Sequence, residues 1–329
     1  MNIADMHCDT ISKIYKARGR GENPELRAND LSVDLESMRS AGYLMQFFAC
    51  FVDMAEYSDP YKTLMEMIDV FDGEIGKNSD LIGRALCYDD IERNMRDNLM
   101  SALLTVEEGG TFGGSIEKLN EAYKRGVRLV TLTWNYENEL GYPNHIGENV
   151  DIYGRANTDS GLKARGIEFV REMERLRMIV DVSHLGDAGF YDVAENTRKP
   201  FAASHSNARG QTAHVRNLTD DMIRILAKRG GITGINFCPV FLRDGYTSKE
   251  DCVSYISDMV RHALYIKKIG GIEVIGLGSD LDGIGGRLEI GKCSLMPELG
   301  EALHDGGFSY DEVDSIMYEN VLRFLHEVL

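Results

Sequence analysis

The stretch Met178-Ile-Val-Asp-Val-Ser-His184, followed after a longer segment by Phe201-Ala-Ala-Ser-His205, carries the pattern that decides the fold. Each is an apolar run of strand length that ends on a histidine. The same alternation of short apolar runs with longer helical segments extends to both termini. Strand-length runs occupy 2–8, 43–52, 101–107, 127–133, 178–183, 200–205, 231–237 and 274–279. Helical periodicity fills 115–125, 162–177, 219–229, 249–269 and 309–328 among the intervening segments. Thr219-Asp220-Asp221 before Met222 is a helix start, and Ser309 with Glu312 three residues on is a capping box. Gly126, Gly230 and Gly270 follow helix ends, where a left-handed residue closes the last turn.

Eight strand-then-helix units predict an α/β fold, a single (β/α)8 TIM-like barrel spanning 1–329 as one domain; a doubly wound open sheet would need fewer strands. Gly83, Gly109-Gly110 and Gly113-Gly114 fit neither a dinucleotide fingerprint nor a phosphate loop. The one central loop of unusual length, 135–160, is expected to shape a substrate pocket.

Composition agrees with a globular enzyme. Hydrophobic residues make up 43% and charged residues 27%, and no apolar run approaches the ~20 residues that span a bilayer. No basic segment with an apolar stretch behind it opens the chain, so no secretory signal is expected. Cys8, Cys50, Cys87, Cys238, Cys252 and Cys293 lie far apart without a Cys-x-x-Cys pair, which excludes a thiolate zinc module and points to a reducing cytoplasm. A net charge of −17 repels nucleic acid and anionic membranes, so neither is an expected partner.

Catalytic groups of such barrels sit at the C-terminal ends of the strands. Here the first strand ends in His7 and Asp9, the third in Glu107-Glu108, the fifth in His184, the sixth in His205 and the eighth in Asp280-Leu281-Asp282. Five strand ends on one rim thus carry ligand-type side chains. His7, Asp9 and one glutamate, with two further imidazoles, suffice for two metals if one carboxylate bridges them. Imidazole and carboxylate donors suit zinc best, and manganese or cobalt could compete.

These residues resemble the membrane (renal) dipeptidase family of binuclear zinc peptidases. The likeness runs over nearly the whole chain, through Asp5-x-His7-x-Asp9, Gln46-Phe47-Phe48, Val106-Glu107 before Gly109-Gly110, and Gly126-Val127-Arg128-x-x-Thr131-Leu132-Thr133. It continues in Asp181-Val182-Ser183-His184, Ser204-His205-Ser206, Arg216-Asn217, Gly278-Ser279-Asp280-x-Asp282-Gly283 and the terminal Asn320-Val-Leu-Arg-Phe. The resemblance implies that His7 and Asp9 bind one zinc, His184 and His205 a second, and that a glutamate bridges the two. Glu107 stands 19 residues before Gly126, as in the family, and alternation turns it with Thr105 toward the barrel mouth, so Glu107 is the expected bridge and Glu108 a supporting residue. Asp280 is similar to the family's proton-shuttling aspartate, and Arg216 to the arginine that holds the substrate's terminal carboxylate. Asp5 and Asp181 are expected to support the ligands, Asp282 is left open, and His145 is a candidate for substrate contact. His214, His262, His304 and His326 read as ordinary.

One position departs from the pattern. Where the family carries a histidine after Thr-Leu-Thr, this chain has Trp134, its only tryptophan. An indole N–H donates one hydrogen bond but cannot become a cation, so it is a poorer partner for a developing oxyanion. Trp134 is either a pocket wall against the substrate or takes a direct catalytic role, and Asn135 or Asn138 could compensate. The resemblance implies a zinc-dependent dipeptidase with two Zn2+ per chain, a small dipeptide as substrate, a D-residue accepted at the C-terminal position, and a homodimer. Two rivals stand beside it: a metal-dependent amide hydrolase for a non-dipeptide substrate, and a catalytically idle metal-binding barrel.

Overall fold

The computed structural model describes residues 1–146, 155–246 and 251–329. Among them, eight parallel strands close on themselves: β1 (Ile3–Cys8), β2 (Tyr43–Phe51), β3 (Met100–Glu107), β4 (Val127–Thr131), β5 (Ile179–Asp181), β6 (Ala202–Ala203), β7 (Ile232–Ile235) and β8 (Ile275–Leu277). Each pairs with its neighbours in chain order, and β8 returns to β1 through Leu277 opposite Asp5. Closure leaves no free sheet edge among these strands, and the helices between them form the outer layer of a (β/α)8 barrel.

The period of two along each strand sorts the core into two clusters. Leu104, Val106, Val130, Val180 and Val182 pack outward with helix residues such as Leu119, Phe169 and Phe190. Leu103, Leu129, Ile179, Ala202 and Ile232 pack together on the other face with Met45 and Phe47. By alternation that second face also carries Glu107, Thr131, Asp181 and Ser204, so one wall of side chains runs from an apolar base to a polar mouth. Val321 and Phe324 of the last helix, Asn320–Val328, join the apolar base and close it.

Strict alternation breaks at register shifts, and the one that bears on the site is in β1. Asp5 pairs with Gln46 and Cys8 with Phe48, so β1 holds one residue more than β2 over this span. The result is a bulge, which re-aims the side chains that follow it. Met6 accordingly belongs to the inner cluster and Cys8 to the outer one. Asp9 lies beyond the strand, at the N-cap of the helix Thr10–Gly19.

Several elements differ from the sequence expectation. The helix expected over 249–269 starts at Ile256, because Val253–Ser254 pair with Arg287–Leu288 and the Glu289 carboxylate accepts the Ile256 N–H at 2.7 Å; residues 249 and 250 lie outside the described residues. The left-handed residue after this helix is Gly271 (φ +89), with Gly270 still helical. The segment 309–328 keeps its Ser309–Glu312 capping box but contains a π-helical turn, Ser315–Glu319, ahead of Asn320. Asn320 Nδ2 there donates to the Ile272 and Ile275 carbonyls, pinning the helix to the start of β8. A short strand, Ile82–Arg84, lies alongside β3 without entering the barrel. Within the expected loop 135–160, His145–Ile146 and Arg155–Ala156 pair antiparallel, and 147–154 lie outside the described residues. No helix among the described residues is long and apolar enough to cross a membrane.

Candidate metal centre

Six ligand-type side chains from five strand ends converge at the barrel mouth. Glu107 stands at their centre: its Oε1 lies 3.0 Å from His184 Nε2 and 3.7 Å from His205 Nε2, while its Oε2 lies 3.3 Å from His7 Nε2. Asp9 Oδ2 is 3.3 Å and Asp280 Oδ1 3.9 Å from the same His7 nitrogen. All six residues are buried.

Hydrogen bonds fix the state of two of the imidazoles. Asp181 accepts from Thr131 Oγ1, Ser183 Oγ and Ser204 Oγ. Because Ser204 spends its only O–H on Asp181, its oxygen must accept from His205 Nδ1, 2.8 Å away. Likewise Asn135 Oδ1 accepts from His184 Nδ1 at 3.0 Å. Both Nδ1 atoms therefore carry the proton, and both Nε2 atoms present lone pairs, 3.1 Å apart. Two lone pairs facing each other repel unless a cation lies between them. Donors ~2.0–2.1 Å from a tetrahedral zinc stand at about this separation.

The other half of the cluster is equally short of partners. An aspartate at a helix N-cap normally accepts a backbone N–H of the first turn. Asp9 does not: it makes no side-chain cap bond, and its Oδ1 is buried without a hydrogen-bond partner among the described residues. Among the same residues neither nitrogen of His7 has a hydrogen-bond partner of good geometry. Beside them Gly283 leaves a cradle, since a Cβ there would run into the carboxylates of Asp9 and Asp280. Orphaned buried donors and acceptors cost ~1–3 kcal/mol each, and several of them converging on one mouth fit a bound ligand. His7, Glu107 and His205 form one triad of mutually close donor atoms, and His7, Asp9 and Asp280 another. The residues present fit a metal centre.

Electrostatics within the cluster follow from burial and close charges. Burial opposes a charged His7, yet the Glu107 and Asp9 carboxylates outweigh it and hold its pKa well above the ordinary value. Burial, and then the Arg216 guanidinium, press His184 down to about 4. His205 is driven well below its usual range by burial and by His7. Glu107 is held below the carboxylate range because His7 and His184 overcome its burial. Asp280 moves the other way, to about 7, through burial and the Asp9 and Glu107 charges, against the opposing pull of His7. A carboxyl group poised near neutrality can take and return a proton. Asn236, at the end of β7, orients it by donating to Oδ2 at 2.8 Å. The sequence reading passed over Asn236; a polar residue ending an otherwise apolar strand was its only signal.

The remaining expected residues fall around this centre. Glu108, in a left-handed conformation (φ +93), accepts from Trp134 N, Asn138 Nδ2 and Gly110 N, so it ties the strand β3 exit to the loop after β4. Trp134 and Asn135 line the cavity above the cluster, which has a volume of about 230 Å3. The Trp134 ring packs 4.8 Å from that of Phe51 and 6.1 Å from that of His184. Arg216 is buried and does not line the cavity; it donates to the Ser183 and His205 carbonyls and to Ser206 Oγ, with its Nε unpartnered and no carboxylate in ion-pair range among the described residues. Asp5 accepts from Ser279 N and Oγ, locking β1 to β8, and Asp282 accepts from Thr10 Oγ1 and Ser32 N. His145 lines a neighbouring cavity with Asn135, not this one.

The sequence profile of the membrane dipeptidase family matches residues 1–329. This chain belongs to that family. As a member it is a metallo-dipeptidase, a hydrolase of peptide bonds. A protein encoded in the pqqA 5′ region of Klebsiella pneumoniae is 33% identical over 82% of this chain and 97% of its own length. An uncharacterised dipeptidase of Schizosaccharomyces pombe is 32% identical over 88% of this chain and 70% of its own. In fold, the chain superposes on a metallopeptidase of Rhodobacter sphaeroides liganded with a phosphinate mimic of the dipeptide L-Ala-D-Ala, with a TM-score of 0.88, 22% identity and coverage of 100% and 99%.

Proposed function

We propose that this metallo-dipeptidase is a binuclear zinc enzyme in which residues 1–329 act as one domain. The observation that carries the reading is the position of Glu107. One of its oxygens faces the bare Nε2 atoms of His184 and His205, and the other faces His7 Nε2, which Asp9 Oδ2 also approaches. His184 and His205 would hold one zinc, His7 and Asp9 the second, with Glu107 shared; manganese or cobalt would meet the same donors. Bound zinc supplies Lewis acidity toward the scissile carbonyl and lowers the pKa of water at this spot.

The protein's own groups do the rest. Asp280, oriented by Asn236, takes the proton of the attacking water and delivers it to the leaving amine. Arg216, a buried cation without a carboxylate partner among the described residues, lies behind the cavity wall and draws the substrate's terminal carboxylate toward the β5–β6 side through its charge. Trp134 and Asn135 wall the cavity, and Asn135 also holds the His184 ring in register. A D-residue at the C-terminal position is supported by the L-Ala-D-Ala mimic held by the Rhodobacter neighbour. Six cysteines spread far apart along the sequence fit a reducing cytoplasm, and the family resemblance supports a homodimer.

Assay of the zinc-loaded protein on L,L- and L,D-dipeptides, with a chelated sample alongside, tests the reading. Hydrolysis that disappears on chelation is expected. Turnover that survives chelation, or none across the panel, would overturn it.

A further inference from the structure

The cavity mouth is lopsided in charge. Its floor is acidic, with Asp9, Glu107 and Asp280, while the rim next to β1 carries Lys13 and Lys16. These two stand three apart on the helix Thr10–Gly19, which begins directly after Asp9, so they share one face over the cavity. Lys16 is engaged: its Nζ is 2.7 Å from Glu56 Oε2 and lies over the Phe51 ring. Lys13 is exposed, and its Nζ has no hydrogen-bond or ion-pair partner among the described residues. In a chain of net charge −17, an unpaired ammonium at this mouth is a local reversal of the surrounding field.

Barrel order then sets which part of a substrate meets it. Arg216 is bound to carbonyls that follow β5 and β6, whereas Lys13 follows β1, on the opposite side of the ring. A dipeptide with its terminal carboxylate toward Arg216 and its amide over Glu107 and Asp280 extends its N-terminal residue toward Lys13. We propose that Lys13, backed by Lys16, selects dipeptides whose N-terminal residue bears a side-chain carboxylate, aspartyl or glutamyl; this rests on the dipeptidase reading above. The isosteric amides asparagine and glutamine fill the same space without the charge, so the difference between them isolates the ion pair.

The test compares kcat/KM of the zinc-loaded enzyme on Glu-Ala, Gln-Ala and Lys-Ala. Glu-Ala is expected to exceed Gln-Ala by about threefold to fivefold, chiefly through KM, the range an exposed ion pair allows. Lys13→Ala should bring the ratio near one, and Lys13→Glu should shift preference toward Lys-Ala. Equal rates on Glu-Ala and Gln-Ala in the unaltered enzyme would overturn the inference while leaving the dipeptidase reading in place. So would a preference that persists when Lys13→Ala is combined with Lys16→Ala. The same three are run with D-alanine as the C-terminal residue, and failure to cleave any member of either series would overturn both.

Discussion

The Nε2 atoms of His184 and His205 face each other at 3.1 Å, each with its proton committed elsewhere on the ring. The proton on His205 is placed by a relay, Asp181 to Ser204 to His205, that lies wholly within β5 and β6 and their exits. Removing the middle of the relay frees the His205 ring to turn or change tautomer. Ser204→Ala should therefore weaken metal binding by ~10–100-fold, read by competition with a chromophoric chelator, while the far-ultraviolet spectrum is unchanged. Unaltered affinity would show that the relay does not set the ligand.

Asp280 is the group whose loss should cost rate without costing metal. Asp280→Asn keeps the shape and the Asn236 contact but cannot carry a proton. A fall in kcat of ~10²–10⁴ with KM nearly constant is expected from steady-state kinetics on a dipeptide. Equal losses of metal content would instead make Asp280 a ligand.

Trp134 sets the wall that distinguishes this chain from the family pattern. Its backbone N–H is held by Glu108 and its ring by Phe51, so a histidine can replace it without disturbing the strand. Trp134→His should raise kcat on small dipeptides by up to ~10²-fold, because an imidazolium can stabilise a developing oxyanion, and should weaken selection against large side chains. Unchanged rate and unchanged substrate preference would make Trp134 inert.

His262 reports on stability rather than catalysis. Its Nδ1 accepts the Ala208 N–H and its Nε2 lies 3.0 Å from the Leu242 carbonyl, and burial presses its pKa to about 4. The unfolded chain takes up the proton near pH 6.5 and the folded one only near 4, so the unfolded state binds more protons between these values. The neutral form's contribution is complete above pH 6.5 and is lost as pH falls toward 4, by about 3 kcal/mol at most. Urea unfolding should show His262→Asn with a shallower loss over that window than the unaltered protein, by about one proton. Parallel slopes would contradict the assignment.

Much of this was legible in the sequence, for a physical reason. A parallel barrel buries its strands on both faces, so each reads as an apolar run, and a histidine or carboxylate at its end stands out. That is how His7, Glu107, His184, His205 and Asp280 could be named together. Alternation was less reliable. It gave Glu107 rather than Glu108 to the centre, but it could not reveal the bulge in β1, which depends on the register against β2. Nor could it show Asp9 as an N-cap that declines to cap. Tertiary partners were invisible as well: Asn236 on Asp280, and the carbonyls that occupy Arg216, are set by strands and loops distant in sequence. The strand Ile82–Arg84, at three residues, is too short for any period to register.

The shared position of Glu107 is the centre of the account, and metal stoichiometry reaches it most directly. Metal-free protein titrated with zinc, while hydrolysis of L-Ala-D-Ala is followed, should reach full activity at two equivalents per chain. A plateau at one equivalent, or binding without hydrolysis, would contradict it.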